Sequence, residues 1–166
     1  MDAVRAIYAA CAARLVSQLY ALTGDFAEAQ DVVQEAFARA LVHRRRFAQV
    51  DNPEAWLRTV AVNLARSNGR RRAVLDRLVR SGRVDRPGRV VPGLSPDHVA
   101  LVAALQRLPR PVREAVVLHH LADLPVAEVA STLGCSVSAV KMRLRRGREA
   151  LAELLDEHAE RELYHA

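Results

Sequence analysis

The groups in this chain with the most chemistry to offer are cations. Lys141, Arg143, Arg145, Arg146 and Arg148 crowd the stretch GCSVSAVKMRLRRGREAL, residues 134–151. Ammonium and guanidinium groups at that density suit the phosphates of DNA. Catalysis has less to build on. Neither half of the sequence pairs carboxylates, sets out a Ser/His/Asp group or carries a phosphate-binding glycine loop, so an enzyme is not expected. His119 and His120 are adjacent, which on a regular helix points them about 100° apart and makes them poor joint metal ligands. Cys11 and Cys135 belong to no metal-binding spacing and read as reduced thiols. No metal and no cofactor is expected.

Placing those cations takes a helix and a turn. Gly134 suits a tight helix-to-helix turn, Ser136 suits the cap that follows, and a helix is predicted from near Val137. If Val140, Leu144, Gly147 and Leu151 face the core, the 3.6-residue period turns Ser138, Met142, Arg145, Arg146 and Glu149 outward. Lys141 and Arg148 then lie on one flank and Arg143 on the other. Val126, Val129, Ala130 and Leu133 give the preceding short helix an apolar side. Two short helices, a glycine turn and a basic second helix make a helix-turn-helix, whose second helix enters the DNA major groove. The plainer alternative is a structural hairpin with a solvated basic face.

The chain has 166 residues, 51% of them hydrophobic but only 4% aromatic, and a net charge of +6. This fits an all-α chain of two small helical domains joined by a flexible linker, the C-terminal one containing the helix-turn-helix. Residues 1–80 carry 13 Arg against 8 acidic residues, whereas 97–166 carry 9 basic and 10 acidic. The basic helix therefore sits in a domain that is not basic, which favours a directed contact over general attraction to polyanions. No apolar run is long enough to span a membrane, and a cytoplasmic protein without membrane insertion is expected.

In the first domain, Val4, Ile7, Tyr8, Cys11, Leu15, Gln18, Leu19 and Leu22 predict a helix over 3–22. Asp25 and Glu28 form a capping-box pattern for the next one, whose apolar stripe is Ala29, Val32, Val33, Ala36, Phe37, Ala40 and Leu41. Its other side shows Gln30, Asp31, Gln34, Glu35 and Ala38, with no basic partner at helical spacing; it reads as solvated surface or a partner site. HRRRF, residues 43–47, ends this helix. Asn52 and Pro53 start a third, carrying Trp56, Leu57, Val60, Ala61, Leu64 and Ala65 as its apolar positions, with Trp56 read as core. Asn63, Arg66, Ser67 and Asn68 lie between or after them, and the helix runs into Gly69 and Arg70, Arg71 and Arg72. Amides and arginines so placed suit nucleic acid. Residues 81–96, rich in Gly and Pro, read as the linker. Helices over 97–108 and 112–121 then lead into the helix-turn-helix. The domains are 1–80 and 97–158, with an acidic tail over 159–166.

Three segments taken in order carry a family resemblance: TGDFAEAQDVVQEAFARAL, NPEAWLRTVAVNLARSNGRRR, and LPRPVREAVVLHHLADLPVAEVASTLGCSVSAVKMRLRRGREAL. Together they resemble the two domains of the extracytoplasmic-function sigma factors of bacterial RNA polymerase. The resemblance implies core polymerase and promoter DNA as partners, with the β′ clamp helices and the β flap as docking sites. It also implies an anti-sigma factor and a nucleoid-associated location. It moves Asp31, Gln34 and Glu35 from solvated surface to the clamp-helix contact. It gives Asn63 a pocket for a base flipped out of the −10 element, and Arg66, Arg70 and Arg71 the neighbouring phosphates. In the second domain it points Ser138, Met142, Arg145 and Arg146 at the −35 element, with Lys141, Arg143 and Arg148 toward phosphates. Met142 departs from the small polar residue common there, and the linker is net basic where related linkers are often acidic. The alternatives are a stand-alone helix-turn-helix regulator, or an RNA-binding adaptor using the first domain alone.

Overall fold

The computed structural model describes residues 2–78 and 95–165. The chain divides into two units, Met1–Leu94 and Ser95–Ala166. All regular elements among the described residues are helical. The linker expected over 81–96 falls almost wholly outside the described residues.

The first unit holds α1 (Asp2–Thr23), α2 (Phe26–Val42), α3 (Arg44–Phe47) and α4 (Pro53–Leu78). Local chemistry sets the starts. Asp25 accepts a hydrogen bond from the Glu28 amide at 3.1 Å, and Asn52 Oδ1 accepts from the Ala55 amide at 3.0 Å, with Pro53 as the first helical residue. Such caps satisfy amides that the helix itself leaves unpaired. The Glu28 side chain also reaches Arg72 of α4, its Oε2 2.8 Å from Arg72 Nη1. The basic cluster does not simply end α2: Arg44–Phe47 makes a separate turn of helix that buries Phe47 and leaves Arg44, Arg45 and Arg46 exposed.

α1, α2 and α4 pack on one another. Leu15, Leu19, Val33, Leu57 and Val62 are fully buried between them, each contributing about 1.5–3 kcal/mol of hydrophobic burial. The inner face of α4 is rotated from the sequence expectation. Val62 and Arg58 are buried, whereas Val60, Leu64 and Trp56 are half-buried. Trp56 packs edge-on against Phe47, ring centroids 5.2 Å apart, so it braces α3 and is not the centre of the core.

The second unit holds α5 (Pro96–Gln106), α6 (Arg110–Val116), α7 (Val126–Leu133) and α8 (Val137–His165). α5 starts one residue earlier than expected because Ser95 caps it, accepting from the His98 amide at 3.3 Å. α6 gives way to a π-helical turn over Val117–Leu121, closed by Ala122 N to Val117 O at 3.0 Å. An inserted residue of this kind breaks the 3.6-residue period. The His119 and His120 rings on this turn lie edge to face, centroids 4.8 Å apart.

α6, α7 and α5 pack on α8. Gly147 is where α8 meets α6: a Cβ there would run into Val116 Cγ2. A larger side chain at this crossing would therefore force Val116 to shift.

Candidate nucleic-acid interface

The helix-turn-helix forms as the sequence predicts. Gly134 takes φ +65°, its amide bonds to Ala130 O, and Ser136 Oγ accepts from the Ala139 amide at 3.1 Å to start α8. Val140, Leu144 and Gly147 are buried, and Leu151 is half-buried. That fixes the rotation of α8, leaving Ser138, Lys141, Met142, Arg145, Arg146, Arg148 and Glu149 exposed. Met142 is 52% exposed, an apolar contact surface amid cations.

Two of the arginines have partners within the fold. Arg143 is half-buried, with Nη1 on the Cys135 sulfur at 3.5 Å, and Arg145 Nε bonds to Glu149 Oε1 at 3.0 Å. Arg143 thus braces the turn as well as carrying charge. Arg143 and Arg146 also edge an open, largely apolar groove of about 450 Å³ with Pro109, Pro111, Val112 and Ala150. On the opposite flank, burial pulls the His120 imidazole below its usual range, helped by the nearby His119 and Arg148.

On α4 the structure brings together what the sequence singled out. Trp56, Asn63 and Arg70 are spaced by seven residues, so they share one side of the helix. Asn63, Arg70 and Arg71 are exposed and Arg66 is half-buried. The exposed Arg44–Arg46 add charge on α3, joined to this side through the Phe47–Trp56 contact.

Asp31, Gln34 and Glu35 are all exposed on α2. One expectation for this face fails: Arg39 lies at helical spacing and bonds to Glu35 Oε1 at 2.9 Å. Since both side chains are about half exposed, the pair contributes only ~0.3–0.5 kcal/mol and is readily exchanged for a partner.

Sequence reasoning missed the residues behind α4. Arg58 bonds to Gln18 and Glu54, and Arg14 grips the same Glu54 carboxylate with two nitrogens. Those Arg14 bonds hold the Glu54 carboxyl below the usual carboxylate range. The signal was there in Gln18, a polar residue on the apolar stripe of α1. Both cysteines are free, and burial pushes the Cys11 thiol up. Among the described residues no cluster of three or more metal-ligating side chains occurs, and no helix is long and apolar enough to cross a membrane.

Residues 7–80 match the family described as Sigma-70 region 2, and residues 98–151 match Sigma-70, region 4. The ECF RNA polymerase sigma factor EcfG of Rhodopseudomonas palustris (strain TIE-1) is 35% identical over 138 residues, covering 81% of this chain and 75% of that one. The chain belongs to the extracytoplasmic-function sigma factors. It is therefore a promoter-specific transcription initiation factor that binds RNA polymerase and catalyses no reaction. The stand-alone regulator is not favoured, since the region 2 match takes up most of the first unit. The sigma factor RpoE of Bartonella quintana, solved with the anti-sigma factor NepR, shares the fold with a TM-score of 0.81 and 24% identity, over 94% of this chain and 98% of that one. CnrH, solved with the cytosolic domain of CnrY, is similar to this sigma factor with a TM-score of 0.65 and 25% identity, over 94% and 89% of the two chains.

Proposed function

We propose that the two units divide the promoter between them, the first opening the −10 element and the second reading the −35 element. The observation that carries this is the exposure of Asn63 on the side of α4 that also bears Trp56 and Arg70, with Leu57, Ala61, Val62 and Ala65 buried behind it. Extruding a base costs a few kcal/mol of lost stacking. An amide held on a packed helix offsets part of that by bonding the base edge, while Arg66, Arg70 and Arg71 hold the adjoining phosphates. On α8, Ser138, Met142, Arg145 and Arg146 face the −35 bases, and Lys141, Arg143 and Arg148 hold the backbone.

In this reading the face with Asp31, Gln34 and Glu35 docks on the β′ clamp helices, and the second unit contacts the β flap. Work on DNA places the protein in the cytoplasm at the nucleoid. An anti-sigma factor is a further expected partner, in line with the complexes in which RpoE and CnrH were solved.

Run-off transcription with purified core polymerase tests the whole reading: starts should depend on both promoter elements. Asn63→Ala should impair opening more than closed-complex formation, seen as lost permanganate reactivity at −10. Absence of binding to core polymerase, together with tight binding to isolated duplex DNA, would sink it.

A further inference from the structure

α4 is held by polar contacts at two places, and both are on its inner side. Near its start, Arg58 is 7% exposed; its Nε donates to Gln18 Oε1 at 3.0 Å and its Nη2 to Glu54 Oε1 at 3.0 Å. Arg14 of α1 completes the set, with Nε to Glu54 Oε1 at 2.8 Å and Nη2 to Oε2 at 2.6 Å. Farther along, Arg72 Nη1 meets Glu28 Oε2 of α2 at 2.8 Å, where the Glu28 side chain is 7% exposed. On a regular helix Arg58 and Arg72 are about 21 Å apart along the axis and within about 40° of the same direction. Asn63 is turned about 140° from one and about 180° from the other.

Such contacts are a poor means of raising stability, because stripping water from the charges offsets most of the attraction and apolar side chains of similar size serve as well. What directional hydrogen bonds add is a single arrangement. A helix packed only through Leu, Val and Ala side chains has neighbouring rotations of similar energy; one bonded to two other helices at separated points does not.

The geometry points to Arg58 and Glu28 as positioning residues that fix α4 in rotation and tilt, so that Asn63 meets the extruded base on a surface that does not yield. This rests on the −10 reading of α4 given above. An α4 able to turn by even a small angle would let the base fall back into the stack, since Asn63 would follow it.

The test uses the full chain with core polymerase and a promoter carrying 2-aminopurine at −10. Gln18→Leu with Arg58→Met replaces both members of the buried hydrogen bond, leaving no polar partner stranded between them. Glu28→Gln keeps shape and removes charge, and Asn63→Ala is the reference. Opening should slow about tenfold in each positioning variant, less than the roughly hundredfold that a full 1 Å misplacement can cost, with closed-complex formation within about twofold of the unsubstituted protein. Unchanged opening in both, with Asn63→Ala slowed, overturns the positioning role and leaves the −10 reading standing. Unchanged opening in all three removes the −10 reading, and the positioning role with it. Equal losses in closed-complex formation and in opening signify general loosening of the unit and also overturn the proposal.

Discussion

The two units are built on different plans. In the first, charged and amide side chains reach between helices far apart in sequence: Arg14 to Glu54, Arg58 to Gln18, Arg72 to Glu28. Aromatic pairs brace it as well, Tyr8 with Phe37, Tyr20 with Phe26 and Phe47 with Trp56. In the second, Arg110–Glu114 and Arg145–Glu149 join neighbouring turns of one helix, Arg113 of α6 bonds to Gln106 at the adjoining end of α5, and Arg107–Glu157 is a looser 3.6 Å contact between exposed groups. Its main crossing depends instead on close approach at Gly147. The contrast matches the work proposed for each unit. Reading a preformed major groove asks only that a short helix present the right side chains. Pulling a base from the stack loads the helix that holds it, and that helix is tied down.

The largest test of the contrast is in the cores. Leu57→Ala, at a fully buried position of α4, is expected to cost the first unit about 2–5 kcal/mol, measured by chemical denaturation with hydrogen exchange read separately for each unit. Protection in the second unit should not change; a parallel drop would show that the plans are not independent. Next comes Gly147→Ala. In most helix interiors this change is favourable by up to ~1 kcal/mol, but here the new Cβ meets a stiff, buried valine, and a loss of about 1–3 kcal/mol is expected. Adding Val116→Ala should recover part of it, and a simple sum of the two losses would refute the contact.

Smaller effects separate the roles on α8. Arg145→Ala should relax discrimination at one −35 position by about 1–3 kcal/mol, while Lys141→Ala weakens all sequences alike and lowers the salt slope by about 1. Binding titrations over mismatched promoters and salt decide between them. The smallest effect is on acid stability, and it should reach the second unit first. The His120 pKa is lowered in the fold, so its neutral form is favoured there and stability declines as pH falls below the usual value of 6.5. Glu54 is lowered too, so its contribution is complete above the ordinary 4.5 and is lost only as pH falls below that. Exchange protection followed from pH 7 to 4 checks the order, which His120→Gln should erase.

Much of this was legible in sequence where the chemistry is local. Asp25, Asn52 with Pro53, Gly134 and Ser136 announce helix ends because a cap involves residues two or three apart. The outward face of α8 follows from its period alone. What escaped is of two kinds. Arg44–Phe47 is too short to display a period, and the π turn after Val116 shifts one. Arg58 and Glu28 look like surface charges in sequence, and only the approach of α1 and α2 to α4 shows them buried. The polymerase, −10 and −35 assignments needed the order of all three segments, since an exposed acidic face or a lone Asn is common on any helix.

The Arg145–Glu149 pair gives the reading helix a resting partner of its own. Such an exposed pair is worth about 0.3–0.5 kcal/mol, roughly a twofold effect on binding. In the proposed −35 reading, Arg145 exchanges Glu149 for a base at a correct site. At other sequences the pair re-forms, and Glu149 partly offsets its charge. In that reading the helix meets other sequences as a cation about twofold weaker at this position, and the difference adds to its preference for a match.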